Sequence, residues 1–121
     1  MSEQNNLPVE RIHAAITPAL VAKFFRGLGD PTRLKILELL IDQGSLTVSQ
    51  IVDQIGQQQG RVSSHLACLR FCGFASSEQR GKFVYYRVTD VRVRQLVALA
   101  KSMLCEHAYQ VECCKRIDGE M

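Results

Sequence analysis

The chain has 121 residues, a formal net charge of +3 and five cysteines, and its 46% hydrophobic content is enough for one domain with one modest core, with dimerisation as a natural way to bury more. No run approaches the ~20 apolar residues of a membrane span. The N-terminus, with Glu3 and Glu10, lacks the basic-then-apolar layout of a signal peptide. A cytoplasmic protein with reduced thiols is expected, and an odd, clustered cysteine set in that compartment favours metal binding or redox sensing over a disulfide framework.

Taken in chain order, residues 1–16 read as a polar, mobile arm with His13 on its surface. Thr17-Pro18 is a cap followed by a first-turn proline, and Leu20, Val21, Phe24, Phe25 and Leu28 follow at helical spacing up to Gly29. Asp30-Pro31 repeats the device, with Leu34, Ile36, Leu37, Leu40 and Ile41 as the stripe and Gly44 as the stop. Thr47 with Gln50 fits a capping box opening a short helix with Val48, Ile51, Val52 and Ile55, closed by Gly56. A glycine-containing turn then leads to a second helix, from about Gln58 to Cys72, with Val62, Leu66 and Leu69 inward; this is a helix-turn-helix. Phe74–Glu78 and Phe83–Val88 read as two strands around a basic Arg80-Gly81-Lys82 tip. Asp90 caps a last helix with Val93, Leu96, Val97, Ala100, Met103 and Leu104. The expected fold is mainly α with a β-hairpin wing: a winged helix-turn-helix with an extra helix at each end.

Residues 61–101 hold eight Lys/Arg against Glu78 and Asp90, while the flanking segments are slightly acidic. A basic middle of this kind is the electrostatic footprint of a nucleic-acid face, although a solvated charged surface has the same composition. Arg80 and Lys82 at the wing tip and the Arg61 region are the expected phosphate contacts.

Cys68 and Cys72 are spaced i, i+4, so both thiols fall on one side of the second helix. Arg61, His65, Cys68 and Cys72 form a stripe beside the Val62/Leu66/Leu69 core face. Thiolates are soft ligands, and two of them need a further ligand from elsewhere. Cysteine is also a common core residue, so packing is the competing reading. His65 reads as a structural or DNA-proximal histidine. Cys105, beside Leu104, reads equally as a ligand or as interface packing.

Three stretches, Leu28 to Leu37, Val62 to Arg70 and Gly81 to Val88, resemble the signatures of the ArsR/SmtB family in matching order, and the similarity spans about residues 18–112. That family comprises dimeric winged-helix repressors that release operator DNA on binding a metal. The resemblance implies a homodimer through the terminal helices, with Leu20, Phe24, Leu96, Val97, Ala100 and Leu104 at the interface. It also implies that Gln59, Arg61, Ser63 and Ser64, with His65 nearby, enter the major groove. Where the family carries Ser or Thr, this chain has Gln58, and Gly60 falls in the first turn of the same helix, so a loose start is expected.

The family places its sensing sites in several positions. The zinc-type site on the last helix falls on Asp90, Arg92, Met103 and Glu106, and arginine cannot ligate a cation. The arsenic-type Cys-x-Cys falls on Thr47-Val48-Ser49-Gln50, which has no thiol. The match is to the subgroup similar to the mycobacterial cadmium/lead sensor, which implies Cys68 and Cys72 with a tail thiol, Cys113, from the other subunit. Cys114 and Cys105 are further candidates. The expected effector is a soft ion, Cd²⁺ or Pb²⁺, with Hg²⁺, As(III) and Zn²⁺ as alternatives. The expected organisation is a DNA-binding and dimerisation domain over 17–110 and a cysteine-bearing tail over 111–121, with double-stranded operator DNA as partner and no membrane or small-molecule substrate. A thiol-redox repressor on the same fold is the runner-up, although helical i, i+4 thiols pair only with distortion and a vicinal Cys113–Cys114 disulfide is strained. An enzyme is not expected, since no thiol is paired with an oriented base.

Overall fold

The helix starts are built by the caps that the sequence advertises. In the computed structural model, which describes residues 15–119, the elements are α1 (Pro18–Leu28), α2 (Pro31–Gln43), β1 (Leu46–Thr47), α3 (Val48–Ile55), α4 (Gln59–Phe71), β2 (Ser76–Arg80), β3 (Phe83–Arg87) and α5 (Val91–Glu112). His13 and most of the expected arm lie outside the described residues. Thr17 Oγ1 accepts from the Leu20 amide at 3.2 Å. Asp30 Oδ1 accepts from the amides of Thr32 at 2.8 Å and Arg33 at 3.0 Å. Thr47 and Gln50 satisfy each other's backbone N–H, a complete capping box. Each bond answers one of the four orphan donors of a helix start.

The core is one cluster. Ile36, Leu37 and Leu40 of α2 meet Ile51 of α3 and Val62, Leu66 and Leu69 of α4, closed by Leu46, Phe74, Val88 and Val93. Phe24 of α1 packs on Phe74 with ring centroids 4.8 Å apart. Most of the α1 stripe stays open: Leu28 is buried, while Leu20, Val21, Phe24 and Phe25 remain exposed. α5 divides in the same way. Val93 and Val97 are buried and Leu96 packs against the core, but Leu99, Met103 and Leu104 are exposed. Two polar ties hold α5 on α2, an ion pair between Lys101 and Glu38 and a bond from Arg94 to the Ile41 carbonyl.

The wing departs from expectation in its bounds and in its sheet: β2 runs on through Arg80 instead of ending at Glu78, so Arg80 is a strand residue and not part of the tip, and β3 stops at Arg87 instead of Val88. The first strand begins at Ser76 rather than Phe74, because the amides of Phe74 and Ala75 both donate to the Leu69 carbonyl and so terminate α4. Gly73 supports that exit with φ +87°, a conformation that favours glycine. The sheet also has a third member: β1 pairs antiparallel with β3, Leu46 opposite Tyr86 and Thr47 opposite Tyr85, giving the order β1-β3-β2. β2 and β3 close on Arg80 opposite Phe83 around a two-residue Gly81-Lys82 turn.

Candidate nucleic-acid interface and thiol site

The helix-turn-helix is α3, Gly56-Gln57-Gln58 and α4, with Gly56 in the left-handed region at φ +80°. Burying Val62, Leu66 and Leu69 turns Gln59, Arg61, Ser63, Ser64, Ala67 and Arg70 outward, so the expected base-reading residues share an exposed surface. Gln58 makes no side-chain capping bond, as its type suggests. Sequence reading missed Phe71, which is 92% exposed at the end of α4. It lies seven residues from Ser64, a helical spacing that carried the signal.

At the wing, Lys82 is exposed in the turn, but Arg80 is not simply presented to solvent. Its guanidinium stacks 3.9 Å from the Tyr85 ring centroid and its Nε sits 3.7 Å from Glu78. The two expected wing cations therefore differ, one committed to its own sheet and the other extended.

His65 is half-buried, and its Nδ1 lies 3.3 Å from Arg33 Nη1, which turns it toward α2 rather than outward beside Ser64. Arg33 also donates from Nε to the Gly27 carbonyl at 2.7 Å and from Nη2 to the Arg26 carbonyl at 3.0 Å. Asp30, capping the same helix, is held below the usual carboxylate range chiefly by the Arg33 amide, with the Thr32 amide and the Arg33 charge contributing. Sequence reading treated Arg33 only as a motif letter; nothing local indicates that it reaches both α1 and α4.

Cys68 and Cys72 lie one turn apart on the same side of α4, and each thiol is in the other's surroundings. Desolvation pushes the Cys72 thiol above its ordinary value, the Cys68 thiol adds to this, and the charges of Arg33 and Lys23 act in the opposite direction. Cys72 lines a cleft of about 430 Å³ with Phe24, Phe74, Val93 and Leu96. Two adjacent, unbridged thiols suit a soft metal as two of its ligands. Within one protomer, among the described residues, no three His, Cys, Asp or Glu groups converge. Cys113 ends α5 and Cys114 follows it half-buried, so the helix runs two residues into the segment expected to be tail. Cys105 is exposed on α5.

The last-helix site is closed for a structural reason besides ligand type. Asp90 caps α5 through the Arg92 amide and is gripped by the Arg92 guanidinium, with Nη2 to Oδ2 at 2.7 Å, which lowers its pKa to about 2. Of the expected dimer residues, Val97 is covered within its own protomer and Leu96 is half-buried there, because the first turns of α5 seal the core. Leu20, Phe24, Ala100 and Leu104 remain exposed. No helix among the described residues is long and apolar enough to cross a membrane.

Comparison with known proteins agrees with this geometry. The model for the bacterial regulatory proteins of the arsR family matches residues 30–77, the span from the Asp30 cap through the helix-turn-helix into β2. A Streptomyces lividans protein described as "Probable mercury resistance operon repressor" is 45% identical over 103 residues, covering 85% of this chain and 82% of its own. A Staphylococcus aureus homologue of the cadmium resistance transcriptional regulatory protein CadC is 40% identical over 83 residues, 69% of each chain. Among solved structures, the homodimeric winged helix-turn-helix DNA-binding domain of a Mycobacterium bovis protein superposes with a TM-score of 0.66 at 32% identity, over 72% of this chain and 80% of that one. These relatives are transcriptional regulators rather than enzymes, and this chain belongs to the ArsR family of bacterial regulatory proteins.

Proposed function

We propose that this protein is a homodimeric repressor that holds operator DNA in its metal-free form and releases it when a soft, thiophilic ion binds Cys68 and Cys72 together with a tail thiol, Cys113 or Cys114, of the second subunit. The observation that carries the reading is the pair of adjacent thiols on the helix that bears the outward Gln59, Arg61, Ser63 and Ser64. The third ligand is assigned to the second subunit because the thiols of one protomer do not converge with its own tail. The exposed apolar stripes of α1 and α5 support a dimer. Cd²⁺ and Pb²⁺ are implied by the resemblance to the cadmium/lead-sensing subgroup more than by the chemistry of the thiols, and the similarity to a probable mercury resistance operon repressor adds Hg²⁺ as a second candidate.

The test is a titration of the reduced full chain on a fluorescent operator duplex with Cd²⁺, Pb²⁺, Hg²⁺, Zn²⁺ and As(III). Sulfur-to-metal charge-transfer absorption is recorded in parallel. Cys68→Ser and Cys72→Ser should each lose the absorption and remain on DNA. Cys113→Ser combined with Cys114→Ser should keep partial metal binding and lose the response. Release by metal in the Cys68/Cys72 double variant would refute the site, and release by mild peroxide alone would favour a redox switch.

A further inference from the structure

We propose that Arg33 and His65 form the coupling element that carries occupancy of the Cys68/Cys72 thiols to α1 and so to the dimer. The inference rests on the reading of those thiols as the sensing site and names how that site acts at a distance.

The geometry is a three-way junction. Arg33 stands near the start of α2 and binds the Arg26 and Gly27 carbonyls in the last turn of α1, the first of which also accepts from the Gly29 amide. Its positive charge also suits the negative end of that helix. With Nη1 the same guanidinium reaches His65 in the middle of α4. Arginine has only donors, so His65 Nδ1 must accept, and the neutral ring then carries its proton on Nε2. One side chain therefore fastens the DNA-reading helix to the helix whose apolar stripe lies open for a second subunit.

The thiols lie on the same face of α4, three and seven residues beyond His65. A divalent ion held by both thiols would displace their two protons, its charge would balance the two thiolates, and it would act on the junction by drawing on the face of α4 that also carries His65. Of the five N–H groups of Arg33, three are engaged by Gly27, Arg26 and His65. A shift of that face moves His65 against Arg33, and the α1 carbonyls held by the same guanidinium feel it. A coupling of this kind follows from linkage: the metal prefers one arrangement of the junction and DNA the other.

The test uses the reduced full-length dimer, Cd²⁺ and a fluorescent operator duplex. For wild type, Arg33→Lys, His65→Leu and His65→Asn, the ratio of DNA Kd with and without Cd²⁺ is measured beside the sulfur-to-Cd²⁺ absorption. Asparagine places an acceptor oxygen close to the position of Nδ1, whereas leucine removes it. We expect a wild-type ratio of roughly 5- to 150-fold, retained in His65→Asn and reduced to about 2-fold in His65→Leu and Arg33→Lys, with the absorption intact in all four. A purely structural role would weaken DNA binding equally with and without Cd²⁺ and leave the ratio unchanged. In the metal-free protein, ¹⁵N shifts of the His65 ring should report the Nε2–H tautomer. An unchanged ratio in both His65→Leu and Arg33→Lys with absorption present, or the Nδ1–H tautomer, overturns the coupling alone. Loss of the absorption in wild type itself overturns the thiol site and the coupling with it.

Discussion

Repairing the start of α4 should stabilise the protein and slow the opening of its DNA-reading end. Gln58 occupies the cap position without a side-chain bond, and Gly60 follows in the first turn. A Cβ at Gly60 meets nothing within 4 Å, so alanine fits without displacement. Supplying a serine cap should contribute about 1 kcal/mol, and Gly60→Ala up to about 1 kcal/mol more. Because the positions adjoin, the pair need not be additive, and a combined gain of roughly 1.5–2 kcal/mol is expected. For a domain of this length that raises Tm by roughly 6–8 °C, compared at equal protein concentration because a dimer melts in a concentration-dependent way. Thermal and urea melts of Gln58→Ser, Gly60→Ala and the double variant measure the gain, and hydrogen exchange localises it. Amides in the first turn of α4 that exchange by local opening should slow about tenfold, whereas α5 amides that exchange by their own local opening should not change. Only Gln58→Ser should be carried into DNA binding, since Gly60 lies on the exposed face of α4. If ordering this turn is part of the cost of binding, the serine variant binds up to about fivefold tighter. Unchanged Tm together with unchanged exchange in that turn would refute the reasoning, because the start of α4 would then already be secured by tertiary packing.

Three further outcomes follow from the same geometry. Lys82→Ala should flatten the slope of log K against log salt by about one unit for each phosphate it no longer neutralises, whereas Arg80→Ala should flatten it less because Arg80 is committed to Tyr85 and Glu78; equal effects in a salt series would show that the stack opens on DNA. Leu104→Glu, at a position 41% exposed in the protomer, should leave the fold intact and give a monomer by sedimentation, with DNA affinity falling sharply; a persistent dimer would move the interface. Asp30→Ala should cost about 1 kcal/mol at neutral pH. Since the folded pKa of Asp30 lies below its ordinary value of 3.8, its charge-dependent stabilisation is fully present above 3.8 and is lost as pH falls through the lowered folded value. The gap between wild type and variant in urea melts should therefore narrow at acid pH, and a gap that widens would contradict the assignment.

The parts of the fold legible in the sequence were those governed by neighbours along the chain. Thr17, Asp30, Thr47 and Asp90 cap the helices they precede, and the Val62/Leu66/Leu69 spacing faces inward. Periodicity alone could not reveal what an apolar stripe packs against: Val97 closes its own core, while Leu104 at the same helical phase remains exposed. β1 was illegible because two residues have no pattern of their own; Leu46 and Thr47 become a strand only when the hairpin arrives some forty residues later. The thiol pair was legible from spacing, but its surroundings were not. Lys23 and Arg33 bear on Cys72 through tertiary folding, and so does the turning of His65 toward α2.

Thr47 has a mechanical consequence beyond its role as a cap. Its backbone pairs with Tyr85 at the base of the wing, while its side chain closes the first turn of α3. The wing and the helix-turn-helix thus share a residue and cannot pivot independently, so the separation between Lys82 and the outward side of α4 acts as a fixed calliper. Lengthening the Gly44-Ser45 approach should leave that span unaltered. A single residue inserted between Thr47 and Val48 should change it, and the duplex would then be gripped at one of the two points.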